Sequence, residues 1–189
     1  MLTLMKRSLP FIFVAAAAGL LLAQGPKQFK RNQGNSASPA KETMVVINGK
    51  TINISYSAPS MRGRTIFGEG GIVSKDPIYP VWRAGADDAT CIHTDAPLDI
   101  AGLAVPAGDY SLFVDLSSNP WKLIVNKQTG QWGLSYKKDQ DLGRVNMTVS
   151  KPSSPVETYY MKLSATGGNK GKLELGWEHV VASVNFTVK

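Results

Sequence analysis

One cysteine and two histidines in 189 residues leave few ways to build an enzyme. Cys91 is the single cysteine of the chain, so no intramolecular disulfide can form. Its place in the strand-like run 89–94 reads as a small buried hydrophobe, not a nucleophile. His93 and His179 are too few for a zinc ligand set. His93 and Asp95 would share a face of a strand, but two ligands do not make a site, so neither a metal nor a cofactor is expected. No G-x-S-x-G turn is present, and a Ser-His-Asp set would have to be gathered from distant loops. The run Gly68-Glu69-Gly70-Gly71 lacks the Lys-Ser/Thr that follows a phosphate-binding loop, and it reads as a turn. Beyond residue 23 no stretch carries a long 3.6-residue apolar period, which argues against helices.

The N-terminus has the opposite character. Lys6 and Arg7 precede a run of fourteen nearly all-apolar residues, 9–22. As a helix it would rise about 21 Å, short of the ~30 Å hydrocarbon core, so a cleaved signal peptide over 1–23 fits better than an anchor. No cysteine lies just after it, which excludes lipoprotein processing. Residues 24–41 are rich in Gly, Pro, Ser, Asn and Gln and read as a flexible basic linker. Export to the periplasm or the extracellular space follows as an expectation, with no membrane span left after processing.

The formal net charge of +7 suggests a polyanion binder, but its location argues otherwise. Six of the 21 basic residues precede Glu42, which leaves 15 against 14 acids over 42–189. That nearly neutral domain is not a nucleic-acid binder.

Within 42–189, alternation dominates. Residues 44–47, Asn48-Gly49 and residues 50–57 form the clearest hairpin, because Asn-Gly supplies the two positive-φ positions of a type I′ turn. Ile52, Ile54 and Tyr56 then face a core while Thr51, Asn53 and Ser55 point the other way. Further short strands fall at 89–94, 98–101, 109–116, 121–126, 144–150, 156–165, 172–177 and 180–188, separated by Gly- and Pro-containing turns. About ten short strands with frequent turn signals make this an all-β domain, a single antiparallel β-sandwich of jelly-roll type. Asn53, Asn146 and Asn185 each open an N-x-S/T sequon and read as solvent-facing strand residues.

Chemistry concentrates in two segments. YSAPSMRGRTIFG (56–68) sets Gly63 between Arg62 and Arg64, where the backbone can turn freely. PVWRAGADDAT (80–90) adds Trp82, Arg83, Asp87 and Asp88. Guanidinium forks fit carboxylates and phosphates bidentately, and a tryptophan face can stack on a cation or a sugar ring. With PAGDYSLFVD (106–115), WKLIVN (121–126), QWG (131–133) and LELGWEHV (173–180), these motifs resemble, in order, an exported bacterial family whose domain has no assigned function. The resemblance spans roughly residues 44–188. It implies export and an all-β domain, and it supplies no reaction.

Arg62, Arg64, Trp82, Arg83, Asp87 and Asp88 are therefore the candidate binding residues. Two readings of them compete: a ligand surface, or arginines paired with Asp87, Asp88 and Glu69 to pin loops across the sandwich. The function expected is a non-enzymatic exported module that binds a glycan or an anionic envelope polymer. One alternative is a carbohydrate hydrolase using Asp87, Asp88 or Glu69. The other is a structural partner of an envelope complex that meets it through edge strands.

Overall fold

A computed structural model describes residues 36–189. The expected signal peptide and residues 24–35 of the expected linker lie outside them. The described chain is all β. Its strands are β1 (Ala40–Ile47), β2 (Lys50–Ser57), β3 (Val81–Trp82), β4 (Thr90–Thr94), β5 (Leu98–Ile100), β6 (Leu103–Val105), β7 (Gly108–Asp115), β8 (Lys122–Asn126), β9 (Asp141–Asn146), β10 (Thr148–Ser150), β11 (Val156–Gly167), β12 (Lys170–Glu178) and β13 (Val180–Val188). They form two antiparallel sheets stacked as a sandwich. The first runs β1-β2-β4-β7-β8-β9, with β3 also on β7. The second runs β11-β12-β13-β5-β6, with β10 also on β13.

The Asn-Gly turn is as expected: Asn48 and Gly49 both have positive φ, 51° and 73°, and Ile47 pairs with Lys50. From that turn the register runs unbroken to Ala40 opposite Ser57. The first strand therefore starts two residues inside the segment read as linker. Ile52 and Ile54, with Leu112, Leu123, Leu175 and Phe186 from both sheets, make the main core.

The other face of the first sheet is not open to water. Val81, Ala89, Phe113 and Ile124 form a second small cluster there, joined by Ile78 and Tyr136 from the connecting loops. Asn53, expected to face solvent, is 1% exposed, and Ser55 and Ser57 are buried beside it. Period-two alternation gave the right face but not its covering. Asn146 and Asn185 are exposed as expected, and Cys91 is buried mid-strand.

The site-forming loop arises from a break in one strand. Strand β4 pairs with Gly108–Leu112 of β7, and β3 pairs with Val114 and Asp115 on the same side of it. Both ends of residues 83–89 are thus pinned to β7, and the segment between them must bulge outward. Ala84 and Asp87 take left-handed φ values of 50° and 58° to make the excursion. The Thr90 hydroxyl donates to Ala84 O at 2.8 Å and closes its base.

Candidate functional site

Strand alternation decides which side chains this loop presents. Trp82 pairs with the core residue Val114, so it points into the sandwich, and its successor Arg83 points out. Trp82 is 1% exposed. It stacks on Trp177 (6.0 Å, 21°) and meets Phe67 and Tyr159 edge-on, each at 5.2 Å. The expected ligand-facing Trp82 is therefore corrected: burying this ring is worth more than presenting it.

A different tryptophan takes that place. Residues 131–133 zip onto residues 87–89, with Ala89 N–H donating to Gln131 O (3.1 Å) and Gly133 N–H donating to Asp87 O (2.9 Å). Asp88 stands directly opposite Trp132 across this bridge. The Arg83 guanidinium lies 5.7 Å from the Trp132 ring centroid, close enough for a cation–π contact. Trp132 stays 47% exposed. Gly133 makes this approach possible. A Cβ on it would fall 2.4 Å from Arg83 Cδ and 2.5 Å from Asp87 O. Arg83 donates at 3.4 Å to the Asp76 carboxylate and at 3.4 Å to Asp87 O, while its Nε is buried without a partner. The acid beside Arg83 is thus Asp76; Asp87 offers it only a backbone carbonyl. QWG stood out as a motif, yet nothing in its spacing said that its tryptophan would be the exposed one.

Arg62 and Arg64 sit on a separate turn. Arg62 and Gly63 have φ of 53° and 71°, and Arg64 N–H donates to Met61 O at 3.1 Å, as a I′-type turn requires. The Arg64 guanidinium folds back on its own turn, donating to Met61 O and Ser60 O, each at 2.8 Å. The Arg62 guanidinium donates to Ala37 O at 3.0 Å. Both side chains are exposed, and among the described residues neither forms an ion pair. The expected pairs with Asp87, Asp88 or Glu69 are therefore not formed there. Backbone carbonyls hold these guanidiniums in place; the nearby Glu157 carboxylate accepts from the Arg62 backbone N–H at 2.9 Å and not from its guanidinium.

Residues 36–38 join the two halves. The Ser36 hydroxyl donates to the Asp87 carboxylate, and Ala37 O accepts from Arg62. Because these are atoms of adjacent residues, chain geometry keeps the Asp87 carboxylate and the Arg62 guanidinium no more than about 14 Å apart. The structure therefore brings together Arg83, Asp87, Asp88, Trp132 and Arg62, places Arg64 one turn further out, and removes Trp82 to the core.

Two supporting groups had no sequence signature. Glu178, at φ 53° in the β12–β13 turn, is buried and accepts from Ile66 N–H (3.0 Å) and Phe67 N–H (3.2 Å). It thereby anchors the RGRTIFG segment. Arg144 is enclosed by Asp115 (2.6 Å), Asp141 (2.9 Å) and the Tyr136 hydroxyl (2.6 Å). Burial and the Asp141 carboxylate to which it donates push the Tyr136 hydroxyl well up. Burial alone would raise the Asp115 carboxyl, but the Ser117 hydroxyl and N–H together with Arg144 outweigh it and leave it below its ordinary value.

His93 is bracketed by two carboxylates, with Nδ1 2.6 Å from Asp109 and Nε2 3.0 Å from Asp95. Among the described residues no group of three or more His, Cys, Asp or Glu is placed to hold a metal ion. Nor is any helix among them long and apolar enough to cross a membrane.

A family model described as a protein of unknown function, DUF2911, matches residues 38–186. No curated protein and no solved structure matches the chain.

Proposed function

From the premise that this chain belongs to the DUF2911 family, whose function is unknown, we propose that it is a non-enzymatic module that binds a glycan on the surface made by residues 83–88, Trp132 and the Arg62–Arg64 turn. The observation that carries this is the Trp132 plate. Half of it is exposed, and Arg83 lies against it. A tryptophan with a cation against its π system is fixed in orientation, and its exposed part suits the C–H face of a pyranose ring. Asp87, Asp88 and Arg62 around it supply acceptors and donors for hydroxyl groups. Binding is placed outside the cytoplasm because Lys6 and Arg7 precede the apolar run 9–22.

The test is affinity electrophoresis of wild type and Trp132→Ala through gels cast with a panel of plant, algal and bacterial polysaccharides. Retardation of the wild type that is lost in Trp132→Ala, at unchanged melting temperature, supports the reading. No retardation by any glycan, or equal retardation of both proteins, sinks it.

A second reading rests on β1, an edge strand of the first sheet. Met44 and Val46 on it are half exposed, and an apolar edge of this kind suits a protein contact in an envelope complex. Val46→Lys would abolish such a contact without touching glycan retardation.

A further inference from the structure

We propose that residues 36–38 form an intramolecular competitor lying in the ligand site, and that the contacts they make identify the ligand as a carboxylate-bearing glycan. This rests on the glycan reading above.

The segment offers the site one hydroxyl and one carbonyl oxygen. The Ser36 hydroxyl goes to the Asp87 carboxylate and the Ala37 oxygen to the Arg62 guanidinium. A hexuronate ring carries the same kinds of group: ring hydroxyls at one end and a carboxylate at the other. Each group fits its partner better than the strap does. A sugar hydroxyl donates to Asp87 as Ser36 does. A carboxylate at Arg62 replaces a neutral acceptor with a charged one in the fork geometry that guanidinium favours. Arg64, exposed and without an ion pair among the described residues, stands two residues away to add charge. A neutral glycan would match the hydroxyl contact only.

Among the described residues the strap is held at this point by few bonds. Besides those two, the Ser36 hydroxyl has Ser38 O as a second, longer acceptor at 3.3 Å, its oxygen accepts from Ser38 N–H at 3.0 Å, and Ala58 N–H donates to Pro39 O at 2.9 Å where β1 begins. Ser36 and Ala37 are exposed, while Ser38, where the strap meets the fold, is buried. The part that can leave the site without disturbing the fold is therefore the tie made by Ser36 and Ala37, with Ser38 as its anchor. A competitor of this kind lowers apparent affinity by the fraction of time it is in place.

The experiment titrates the full chain, wild type and Ser36→Ala, by tryptophan fluorescence with polygalacturonate. Dextran is the neutral control and polyglutamate the non-sugar carboxylate. Loss of one hydrogen bond to a charged acceptor should raise affinity for polygalacturonate by about tenfold in Ser36→Ala. Arg62→Ala should bring polygalacturonate down to the level of dextran. If the wild type binds polygalacturonate and Ser36→Ala binds it no more tightly, the competitor is overturned and the glycan reading stands. If dextran or polyglutamate binds as well as polygalacturonate, the ligand class is overturned. If neither protein binds any of the sugars, the glycan reading falls and this inference with it.

Discussion

Arg144 and Arg62 carry the same group in opposite circumstances. Arg144, on β9, has two carboxylates and a tyrosine hydroxyl around its guanidinium. Arg62 is exposed and donates to a neutral backbone carbonyl. In the first case the charge is cancelled, so removing the arginine strands two acids. In the second the charge is held in a fixed place and left standing, ready for something from outside. An arginine that serves the fold can thus be told from one that serves a ligand by what compensates it, and each side of the comparison can be put to the test.

The largest effect belongs to Arg144. Arg144→Met keeps the stem and removes the fork, leaving Asp115 and Asp141 facing each other in a half-buried place. Urea unfolding should show a loss of about 2–4 kcal/mol. The pH dependence follows by sign. Asp115 titrates below its ordinary value in the folded state, so its contribution is present above the unfolded value near 3.8 and is lost as pH falls through the lower folded value. Wild-type stability should be level from pH 7 to about 5 and fall below about 4. In Arg144→Met, where one cause of the depression is gone, that fall should be shallower. A parallel acid limb in the two proteins would mean that Ser117 alone holds the carboxylate down.

Glu178 comes next, a charge in the structural class that works through backbone. Glu178→Ala leaves the buried Ile66 N–H and its neighbour without acceptors, a loss of about 2 kcal/mol. Glu178→Gly removes still more of the side chain but suits the left-handed φ of 53°, so it should be more stable than Glu178→Ala by about 1 kcal/mol. Equal melting of the two would show that the turn has relaxed and that the carboxylate is the whole effect.

These two groups mark the limit of what was legible in the sequence. The alternating runs, the Asn-Gly turn and the absence of α-helices among the described residues follow from local rules, and so does the sandwich. Arg144 was not legible as a structural arginine, because Asp115 comes from another strand 29 residues away. Trp82 was within reach. Val81-Trp82-Arg83 read as loop made both side chains candidates for one surface, whereas the same residues read as a strand must point in opposite directions. Asn53 shows the converse. A period of two says which way a residue faces and nothing about what loop settles over it. Of the candidate residues, Arg62, Arg83, Asp87 and Asp88 were singled out by residue type and clustering, and the 83–88 loop holds the last three together. Trp132 was missed because exposure is a property of the folded surface.

The smallest stability effect is expected where the comparison is sharpest. Arg62→Ala, Arg64→Ala and Trp132→Ala each remove an exposed group with no ion-pair partner among the described residues, so each should leave unfolding free energy within about 0.5 kcal/mol of wild type. Trp132→Ala also uncovers Arg83, which keeps Asp76 as a partner at 3.4 Å, and it should fall at the upper end of that range. What these changes should alter is salt-dependent attraction. If the charges of Arg62 and Arg64 are left standing, wild-type retention on an anionic polysaccharide matrix falls as salt rises, and each single mutant elutes earlier. The double mutant should lose about what the two single mutants lose together, since neither guanidinium touches the other's partners. A stability loss of several kcal/mol in Arg62→Ala would erase the distinction drawn from Arg144, because it would mean that backbone carbonyls alone can make an exposed arginine structural. Unchanged stability with unchanged retention would leave the arginines outside both classes. Unchanged stability with earlier elution is the expected outcome, and it separates the arginine that closes the fold from the one that faces outward.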